Sequence, residues 1–388
     1  MKILCDYPFT HFEVNNPNGD VTFCCNHNMV LGNVNKNNIE EIWNGAAYKD
    51  IRRKFLEGRI FEICHKSCPV LHGWKDYEKL DWYKELPKDS EIYKNAVQNE
   101  EEIADGRAEL ASRPRWLRFS TSYACNLKCY HCFQRGDREA MLRLPDKFFE
   151  DIKRLLHRAQ IIFFYGGEPL IEISNLKLME YLSQNKSYIK VFLISNGTIL
   201  SDSIKSILEK LNLGLIDISV DSTNRDLYEE LRYPARWPET LEHIRFFSEL
   251  MKKKGSNLSI SLTINKKNEN ELADFIKFAR ELNAIPFFQF AHNLAKDASF
   301  RKNYEIFSVR ECKEARDCLL RAKASLRPGD SPLTCENIDH LLAYTNDRMS
   351  IMKRARSVLA EKFPGIKNIL KKMISKNKTM FQNYRKGS

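Results

Sequence analysis

The sequence has no run of eighteen consecutive apolar residues, so it contains no candidate transmembrane helix. Its start, MKILCDYPFTHFEVNN, also lacks the basic residues, apolar stretch and small-residue cleavage site that together mark a secretion signal. These two absences predict a cytoplasmic protein. Since 43% of the 388 residues are hydrophobic, the chain can bury a sizeable core, and its length predicts two or three structural units.

Without a secretion signal, a disulfide framework is a poor explanation for the eleven cysteines, which are odd in number and clustered. A metal-binding or redox role explains the clusters better. Cys312, Cys318 and Cys335 show no tight spacing, so we expect these three to be packing residues.

Net charge is nearly absent outside residues 351–388, where eleven Lys and Arg accompany one acid and contribute +10 of the formal charge of +11. Within this tail, FPGIKNILKKMISK predicts a helix that begins near Pro364. Its apolar residues at helical spacing are Ile366, Ile369, Leu370, Met373 and Ile374. We expect this basic helix either to cover the rest of the fold or to recruit an anionic partner, such as a membrane surface, a phosphate-bearing substrate or a carrier protein. No specific nucleic-acid partner is expected.

The middle of the chain alternates six times between an apolar, β-rich run and a segment of helical periodicity. The strand-like runs are WLRFSTSY, IIFFY, IKVFLIS, LIDISV, LSISLTI and IPFFQFA. This alternation predicts an α/β fold with a parallel sheet, curled into a partial (β/α)6 barrel similar to a TIM barrel. The first four strands are followed by CNLKCYHC, GGEP, SNGT and VDS. Because the loops after the strands of such a barrel share one opening, we expect these motifs to form one site.

Three cysteines in one short loop, Cys125, Cys129 and Cys132, predict an iron–sulfur cluster. A loop with only three thiolates leaves one iron of a four-iron cluster without a protein ligand, so that iron can bind something else. A zinc site with His131 as the fourth ligand is the structural alternative.

The cysteine loop, together with GGEP after the second strand, resembles the signature of the radical S-adenosylmethionine (radical SAM) enzymes. The resemblance implies that Cys125, Cys129 and Cys132 hold a catalytic [4Fe–4S] cluster whose open iron is chelated by S-adenosylmethionine. It also implies cleavage of this cofactor to a 5′-deoxyadenosyl radical, which abstracts hydrogen from a substrate carbon. The residue before the last cysteine is commonly aromatic in the family, and here it is His131.

The same resemblance implies a set of cofactor-binding residues on the loops after strands two to four. The glycines of GGEP let backbone approach a ligand closely. Arg232, in YEELRYP, matches an arginine that pairs with the cofactor's carboxylate in related enzymes, the alternative being an exposed helical arginine. The full set is Gly166, Gly167, Glu168, Pro169, Asn196, Ser219, Asp221 and Arg232.

A second group of cysteines, Cys5, Cys24, Cys64 and Cys68, surrounds a predicted hairpin in NGDVTFCC and a predicted helix in IEEIWNGAAYKDIRRKFLEG. Four thiolates at this spacing indicate a closed four-iron cluster or a zinc ribbon. The segment resembles the SPASM/twitch module, which implies an auxiliary [4Fe–4S] cluster. That module usually follows the barrel, whereas here it precedes it. Cys25 is left over and is expected to be a packing residue.

These patterns predict four regions. They are a SPASM/twitch-like domain at 1–78, a charged linker at 79–113, a radical SAM barrel at 114–298 and a helical, basic C-terminal extension at 299–388.

An auxiliary cluster whose ligands are all protein thiolates cannot bind substrate directly, so we expect it to accept an electron. This favours a net oxidation, such as dehydrogenation of an alcohol or a crosslink within a peptide. One alternative is epimerisation, in which a thiol of Cys312, Cys318 or Cys335 returns a hydrogen atom. The other is an iron–sulfur electron-transfer or nucleic-acid-binding protein without enzymatic activity.

Because the cysteine module occupies residues 1–78, we expect no additional N-terminal domain of the kind that captures leader peptides. This favours a sugar-like small molecule as substrate over a peptide. The chemistry would also require an electron donor such as flavodoxin or ferredoxin.

Overall fold

The computed structural model describes residues 5–24, 29–64, 68, 80–132, 134, 142–185, 188–291, 303–306 and 308–362. Cys25 and the helix predicted from Pro364 onward lie outside the described residues.

The described strands form one nine-stranded sheet in the order β3-β2-β1-β4-β5-β6-β7-β8-β9. From β4 to β9 each strand pairs parallel with the next, which confirms the predicted α/β partial barrel. The strands are β1 (His11–Val14), β2 (Asp20–Thr22), β3 (Gly32–Asn33), β4 (Trp116–Ser120), β5 (Ile161–Tyr165), β6 (Lys190–Ser195), β7 (Leu213–Ser219), β8 (Asn257–Ile264) and β9 (Ile285–Phe290).

Helices fill the connections between the strands and form the C-terminal extension. They are α1 (Tyr7–Thr10), α2 (Ile39–Trp43), α3 (Ala46–Leu56), α4 (Glu91–Ala104), α5 (Asp146–Leu155), α6 (Ile173–Gln184), α7 (Asp202–Lys210), α8 (Arg225–Leu231), α9 (Trp237–Lys254), α10 (Leu272–Glu281), α11 (Val309–Ala324) and α12 (Pro332–Lys362). Short 3₁₀ turns cover Ile60–Glu62, Leu80–Glu85 and Glu269–Glu271. Within the described ranges, none of these helices combines the length and apolarity that a membrane crossing requires.

The parallel strands have an outer face packed against helices and an inner face that lines the barrel. On β7, Ile216 and Ile218 are fully buried in the core, whereas Asp217 and Ser219 between and after them are partly accessible. Because side chains alternate along a strand, Asp217 and Ser219 belong to the inner face. The N-terminal end of that face is filled by a separate apolar cluster of Trp116, Ile161, Phe192 and Leu215.

The predicted N-terminal hairpin is confirmed, and it joins the barrel sheet. Strands β1 and β2 pair antiparallel, with Glu13 opposite Thr22. Strand β1 also pairs parallel with β4, so that His11 lies opposite Trp116. The cysteine module and the barrel therefore share one continuous sheet.

The helix predicted after the hairpin is in fact two helices, α2 and α3. Asn44 ends α2, and Gly45 precedes α3 with an extended backbone. The Asn44 side chain donates to the Leu110 carbonyl and accepts from the Leu110 amide, at 2.7 and 3.0 Å. The Asn44 side chain thus ties the break between the two helices to a distant segment.

The segment expected to be a charged linker contains α4, and the polar side chains on one face of this helix are buried. Glu102 accepts hydrogen bonds from the Ala111 amide at 2.7 Å and from the Ser112 hydroxyl at 2.6 Å. Asn99 donates to the Phe9 carbonyl at 2.9 Å. The segment therefore packs firmly between the cysteine module and β4.

The C-terminal helices cover the open edge of the sheet at β9. The Asn337 side chain accepts from the Phe288 amide at 2.8 Å and donates to the Phe288 carbonyl at 3.0 Å. Thr334, one turn earlier on α12, donates to the Pro286 carbonyl at 3.1 Å. These side chains satisfy edge-strand groups that another strand would otherwise pair.

Candidate active site

The predicted motifs meet at the C-terminal ends of β4 to β7. The cysteine loop follows β4, GGEP follows β5, SNGT follows β6 and VDS follows β7. Each strand presents its last residues at the same edge because the strands are parallel and in register. This juxtaposition matches the expectation that the four motifs form one site.

The cysteine loop is held against the segment that ends α8. The Lys128 amide donates to the Tyr233 carbonyl at 2.6 Å, and the Tyr130 amide donates to the Leu231 carbonyl at 3.2 Å. These two bonds place Arg232, the residue between the acceptors, directly beside the loop.

The GGEP loop is hydrogen-bonded to the segment that leads into the first cysteine. The Gly167 amide donates to the Ser122 carbonyl at 3.0 Å, and the Glu168 amide donates to the Ala124 carbonyl at 2.8 Å. A Cβ on Gly167 would lie 2.1 Å from the Ala124 oxygen, and Gly166 has φ +128°. Both positions therefore need glycine, one for close approach and one for its backbone conformation.

Glu168 is buried, and its carboxylate connects GGEP to SNGT. It accepts from the Ser195 hydroxyl at 2.9 Å, the Asn196 amide at 2.7 Å and the Leu170 amide at 3.1 Å. Burial raises the pKa of Glu168, while these donors oppose that rise. The carboxylate predicted to bind cofactor is thus already occupied by protein groups and positions the two loops.

Asn196 lies between SNGT and the first cysteine. Its side-chain amide donates to Asn126 at 2.9 Å and lies 3.7 Å from the sulfur of Cys125. The Thr198 amide and hydroxyl donate to the Asn196 side-chain oxygen at 2.9 and 2.6 Å. Asn196 is therefore oriented by its own loop to face the cysteine loop.

Asp221 and Arg232 form a buried ion pair, with 2.8 Å between Oδ2 and Nη2. Asp221 has φ +61° and is held in that conformation by the Thr263 amide at 2.7 Å and the Asn268 side chain at 2.8 Å. The alternative of an exposed helical arginine at position 232 is therefore wrong. Nε2 of His131 lies 3.5 Å from the same Asp221 oxygen, and burial lowers the pKa of His131.

The three loop cysteines have the chemistry that an iron–sulfur cluster needs. Burial raises the pKa of Cys129 to about 12 and also raises the pKa of Cys125, so these thiols favour the neutral form until metal binds. Donors point at both sulfur atoms: Arg232 Nη1 lies 4.0 Å from Cys129, and the Leu127 amide lies 3.4 Å from Cys125. Such donors stabilise the thiolates that a cluster requires.

Buried polar atoms around the loops suit a polar cofactor. Within the described ranges, the hydroxyl of Ser120, Nδ1 of His131 and Nε of Arg232 have no hydrogen-bond partner. Burying such atoms without partners is costly, so a ligand with polar groups fits here. The described residues include no three His, Cys, Asp or Glu side chains that converge on a single metal ion.

Two cysteines of the second group, Cys5 and Cys24, lie toward the opposite end of the strands. Cys5 precedes α1, which runs directly into the start of β1, and Cys24 follows the end of the antiparallel β2. Phe23, next to Cys24, packs edge-on against Phe55 of α3, with 5.8 Å between the ring centroids. Cys64 follows α3 and the 3₁₀ turn Ile60–Glu62 in the chain. We define Cys5, Cys24, Cys64 and Cys68 as the auxiliary site.

Thiol chemistry at the auxiliary site also fits a cluster. Burial raises the pKa of Cys64 to about 11, and the neighbouring Cys68 raises it further. The proximity of Cys68 to Cys64 suits two ligands of one cluster. Cys24 is buried, whereas the other three are partly accessible.

The remaining cysteines lie in the helical layer. Cys312 and Cys318, on α11, are buried in the core, which agrees with the expected packing role. Cys335, on α12, is partly exposed, and its sulfur lies 3.8 Å from Asp339. None of these three thiols lies on the inner face of the sheet, so the structure weakens the epimerase alternative that would use them.

Several residues of the site were not predicted from the sequence. Asn126 could have been singled out, because a polar amide within the cysteine loop has few other roles. Asn268 braces Asp221 from a segment with no recognisable motif. Asp217 and Ser259 lie on the inner face. The sequence indicates this position, because each is a polar residue within an otherwise apolar strand.

Comparison with known proteins gives two family matches. Residues 119–279 match the Radical SAM superfamily, and residues 5–69 match SPASM, described as an iron-sulfur cluster-binding domain. The first match covers the strands and loops just described, and the second covers the hairpin, α1 to α3 and the auxiliary site.

Individual relatives are distant. The AdoMet-dependent heme synthase of Methanosarcina barkeri (strain Fusaro / DSM 804) is 25% identical over 187 residues, or 47% of this chain and 51% of that protein. The antilisterial bacteriocin subtilosin biosynthesis protein AlbA of Bacillus subtilis (strain 168) is 24% identical over 264 residues, or 63% of this chain and 55% of that protein. The chain thus spans about half the length of these relatives. Streptococcus suis SuiB bound to S-adenosylmethionine is 17% identical with a TM-score of 0.45, covering 74% of this chain and 62% of SuiB.

Proposed function

We propose that this chain, which belongs to the radical SAM superfamily and carries a SPASM domain on its N-terminal side, removes hydrogen from a substrate carbon and completes a net oxidation. The family matches confirm the resemblance found in the sequence and, with it, [4Fe–4S] clusters and S-adenosylmethionine as cofactors. One observation carries the proposal: the cysteine loop, GGEP and the Asp221–Arg232 pair converge at one end of the sheet.

The chain's own residues would hold the cofactors as follows. Cys125, Cys129 and Cys132 supply thiolates to the catalytic cluster, and Arg232 and Ser120 offer donors to S-adenosylmethionine. When bound together, the reduced cluster and S-adenosylmethionine supply a 5′-deoxyadenosyl radical. The protein supplies position, because the Glu168 contacts fix the two loops that frame the inner face.

The auxiliary site supports oxidation as the net reaction. With four cysteines it can hold a cluster that has no open iron, which suits electron transfer. The rings of Tyr7, His11 and Trp116 form a continuous stack, with centroids 4.0 and 4.9 Å apart, from the Cys5 end of β1 to the inner face. Stacked rings between the two regions support electron exchange between the auxiliary site and the barrel interior.

A peptide is the first candidate for the substrate. The relative named for biosynthesis of the bacteriocin subtilosin matches 63% of this chain, and bacteriocins are peptides. The sequence alone favoured a sugar-like small molecule, which remains the second candidate. Both kinds of molecule present carbon atoms that bear hydroxyl or amine groups.

The test is anaerobic reconstitution with iron and sulfide, followed by reduction with dithionite in the presence of S-adenosylmethionine. We expect 5′-deoxyadenosine by mass spectrometry. A Cys335→Ala variant is the matched control, because this thiol is outside both cysteine groups and should leave the yield unchanged. A reconstituted protein that binds clusters but leaves S-adenosylmethionine intact would instead support the non-enzymatic electron-transfer alternative.

A further inference from the structure

A carboxylate on the inner face is unused by the site described so far. Asp217 is the fifth residue of β7, and the register places it between Ile194 of β6 and Ser259 of β8. Its neighbours along the strand, Ile216 and Ile218, are fully buried on the outer face. Asp217 must therefore point into the barrel, because side chains alternate along a strand.

Asp217 lies deeper in the barrel than the cofactor loops, at a depth that suits a bound substrate. Ser219, the last residue of β7, lies opposite Ser261, and these two hydroxyls form the layer next to the Asp221–Arg232 pair. Asp217 lies two residues deeper, or ~6.6 Å along the strand. A molecule bound there would lie beneath the cofactor loops, inside the barrel.

Asp217 differs from the other carboxylates near the site in its partners. Glu168 accepts from three protein donors, and Asp221 has an arginine and a backbone amide. The hydroxyls of Ser259 and Ser261 interact with Asp217, yet its Oδ1 atom has no hydrogen-bond partner among the residues that the structure describes. Burial raises the pKa of Asp217, as expected for a carboxylate without a bound cation.

The part of the inner face formed by β4 and β5 carries a cation and aromatic rings rather than an unpaired carboxylate oxygen. Arg118 of β4 pairs with Glu13 at 3.3 Å and lies 5.1 and 4.4 Å over the rings of Phe163 and Tyr165. The Glu13 carboxylate compensates this guanidinium. A substrate entering between the walls therefore meets flat rings on one side and the acceptor oxygen of Asp217 on the other.

We propose that Asp217, supported by Ser259 and Ser261, is a substrate-binding residue that accepts a hydrogen bond from a hydroxyl or ammonium group next to the reacting carbon. A carboxylate with a vacant acceptor recognises hydrogen-bond donors, and most strongly a cationic one. Both candidate substrate classes carry such groups. This inference rests on the proposed function, since it assigns the substrate position of the same site.

The experiment uses two small probes in place of the unidentified substrate: ethanolamine and ethylene glycol, each deuterated on carbon. The reconstituted full chain is reduced with S-adenosylmethionine and one probe, and deuterium in the 5′-deoxyadenosine is measured. We expect transfer from both probes and more from ethanolamine. Asp217→Asn should lower deuterium per 5′-deoxyadenosine from ethanolamine about tenfold, as loss of one charge-assisted hydrogen bond predicts.

Two controls separate binding from folding. Asp202→Asn changes an exposed aspartate at the start of α7 and should behave as the parent. Ser259→Ala should lower transfer by about threefold, a smaller loss because a neutral hydroxyl contributes less than the carboxylate. Equilibrium binding of S-adenosylmethionine to the unreduced protein should be unchanged in both inner-face variants, which also shows that they fold.

The outcomes distinguish this inference from the proposed function. Absence of 5′-deoxyadenosine in the parent would count against the proposed function itself. Normal 5′-deoxyadenosine with equal deuterium in parent and Asp217→Asn, or with no deuterium from either probe in the parent, would overturn the role of Asp217.

Discussion

The catalytic and auxiliary cysteine groups differ in how the fold supports them. The Cys125 loop follows the C-terminal end of β4 and is held by backbone bonds to two other loops. The auxiliary site is built around the N-terminal end of β1, next to helices α1 and α3. Since β1 and β4 are parallel and begin together, Cys5 and Cys24 lie toward the end of the sheet opposite the Cys125 loop.

This difference agrees with the two tasks that we propose for the cysteine groups. Around Cys125 and Cys129, side chains and amides are directed at the sulfur atoms, and several buried polar atoms nearby have no partner among the described residues. Such an arrangement orients a reacting cofactor. Around the auxiliary site, stacked rings lead toward the inner face, and most of the thiols are partly accessible. Such an arrangement suits electron exchange, which tolerates distance better than hydrogen abstraction does.

Removing the catalytic thiols should have the largest effect. We expect Cys125→Ala, Cys129→Ala and Cys132→Ala combined to abolish 5′-deoxyadenosine formation and to lower iron from about eight to about four per chain. Iron analysis and mass spectrometry after reconstitution measure both. Unchanged iron content would mean that the ligand assignment is wrong.

Removing auxiliary thiols should separate cofactor cleavage from turnover. We expect Cys64→Ala with Cys68→Ala to retain some 5′-deoxyadenosine formation, because the catalytic loop is intact, while oxidised product is lost. Product and 5′-deoxyadenosine are quantified from the same reaction. Full product formation in this variant would leave the auxiliary site a structural role and would restore zinc as a candidate metal.

A smaller effect is expected from Gly167→Ala. The added Cβ would lie 2.1 Å from a backbone oxygen, so the GGEP loop must move away from the cysteine loop. We expect destabilisation of about 1–3 kcal/mol, typical of overpacking, and about tenfold weaker S-adenosylmethionine binding. Gly106→Ala is the control: its φ of +72° makes the substitution strained, but no atom lies within 4 Å of the added Cβ, so it should cost stability without moving the GGEP loop. Equal cofactor affinity in the two variants would contradict the close-approach argument.

The smallest effect concerns His11, in the stack beside the auxiliary site. Burial lowers the pKa of His11 to about 3 from an ordinary value of 6.5. Between these values the unfolded chain binds a proton that the folded chain does not, so the free energy of unfolding falls as pH falls. From pH 6.5 to 5 the parent should lose about 1.7 kcal/mol more than His11→Phe. Urea unfolding at several pH values measures this, and parallel pH profiles would refute it.

The sequence predicts the local parts of this comparison and misses the long-range ones. Alternating periodicity locates the six strands β4 to β9, and spacing locates the catalytic cysteines, because both signals lie within a few residues. No sequence pattern near either strand predicts the pairing of β1 with β4, because it depends on contacts between distant segments. The contact of Asn44 with Leu110 has the same origin, because the two residues are 66 positions apart.

The sequence identified several residues of the site but not the contacts that their side chains make. Arg232 was singled out, but sequence could not show that it is buried against Asp221. Glu168 was expected to bind cofactor, whereas its oxygens are taken by neighbouring loops. Periodicity could have placed Asp217 on the inner face, but only the register of β6, β7 and β8 shows what lies beside it.

The parallel pairing of β1 with β4 also bears on how this protein folds during translation. His11 and Trp116 are paired, yet more than a hundred residues of sequence lie between them. At typical synthesis rates of ~5–20 residues per second, the hairpin waits ~5–20 s for its partner strand. During that time the auxiliary cysteines have emerged without the sheet that later supports them. We expect cluster insertion at the auxiliary site to follow translation of β4, because the sheet that carries the hairpin is complete only then.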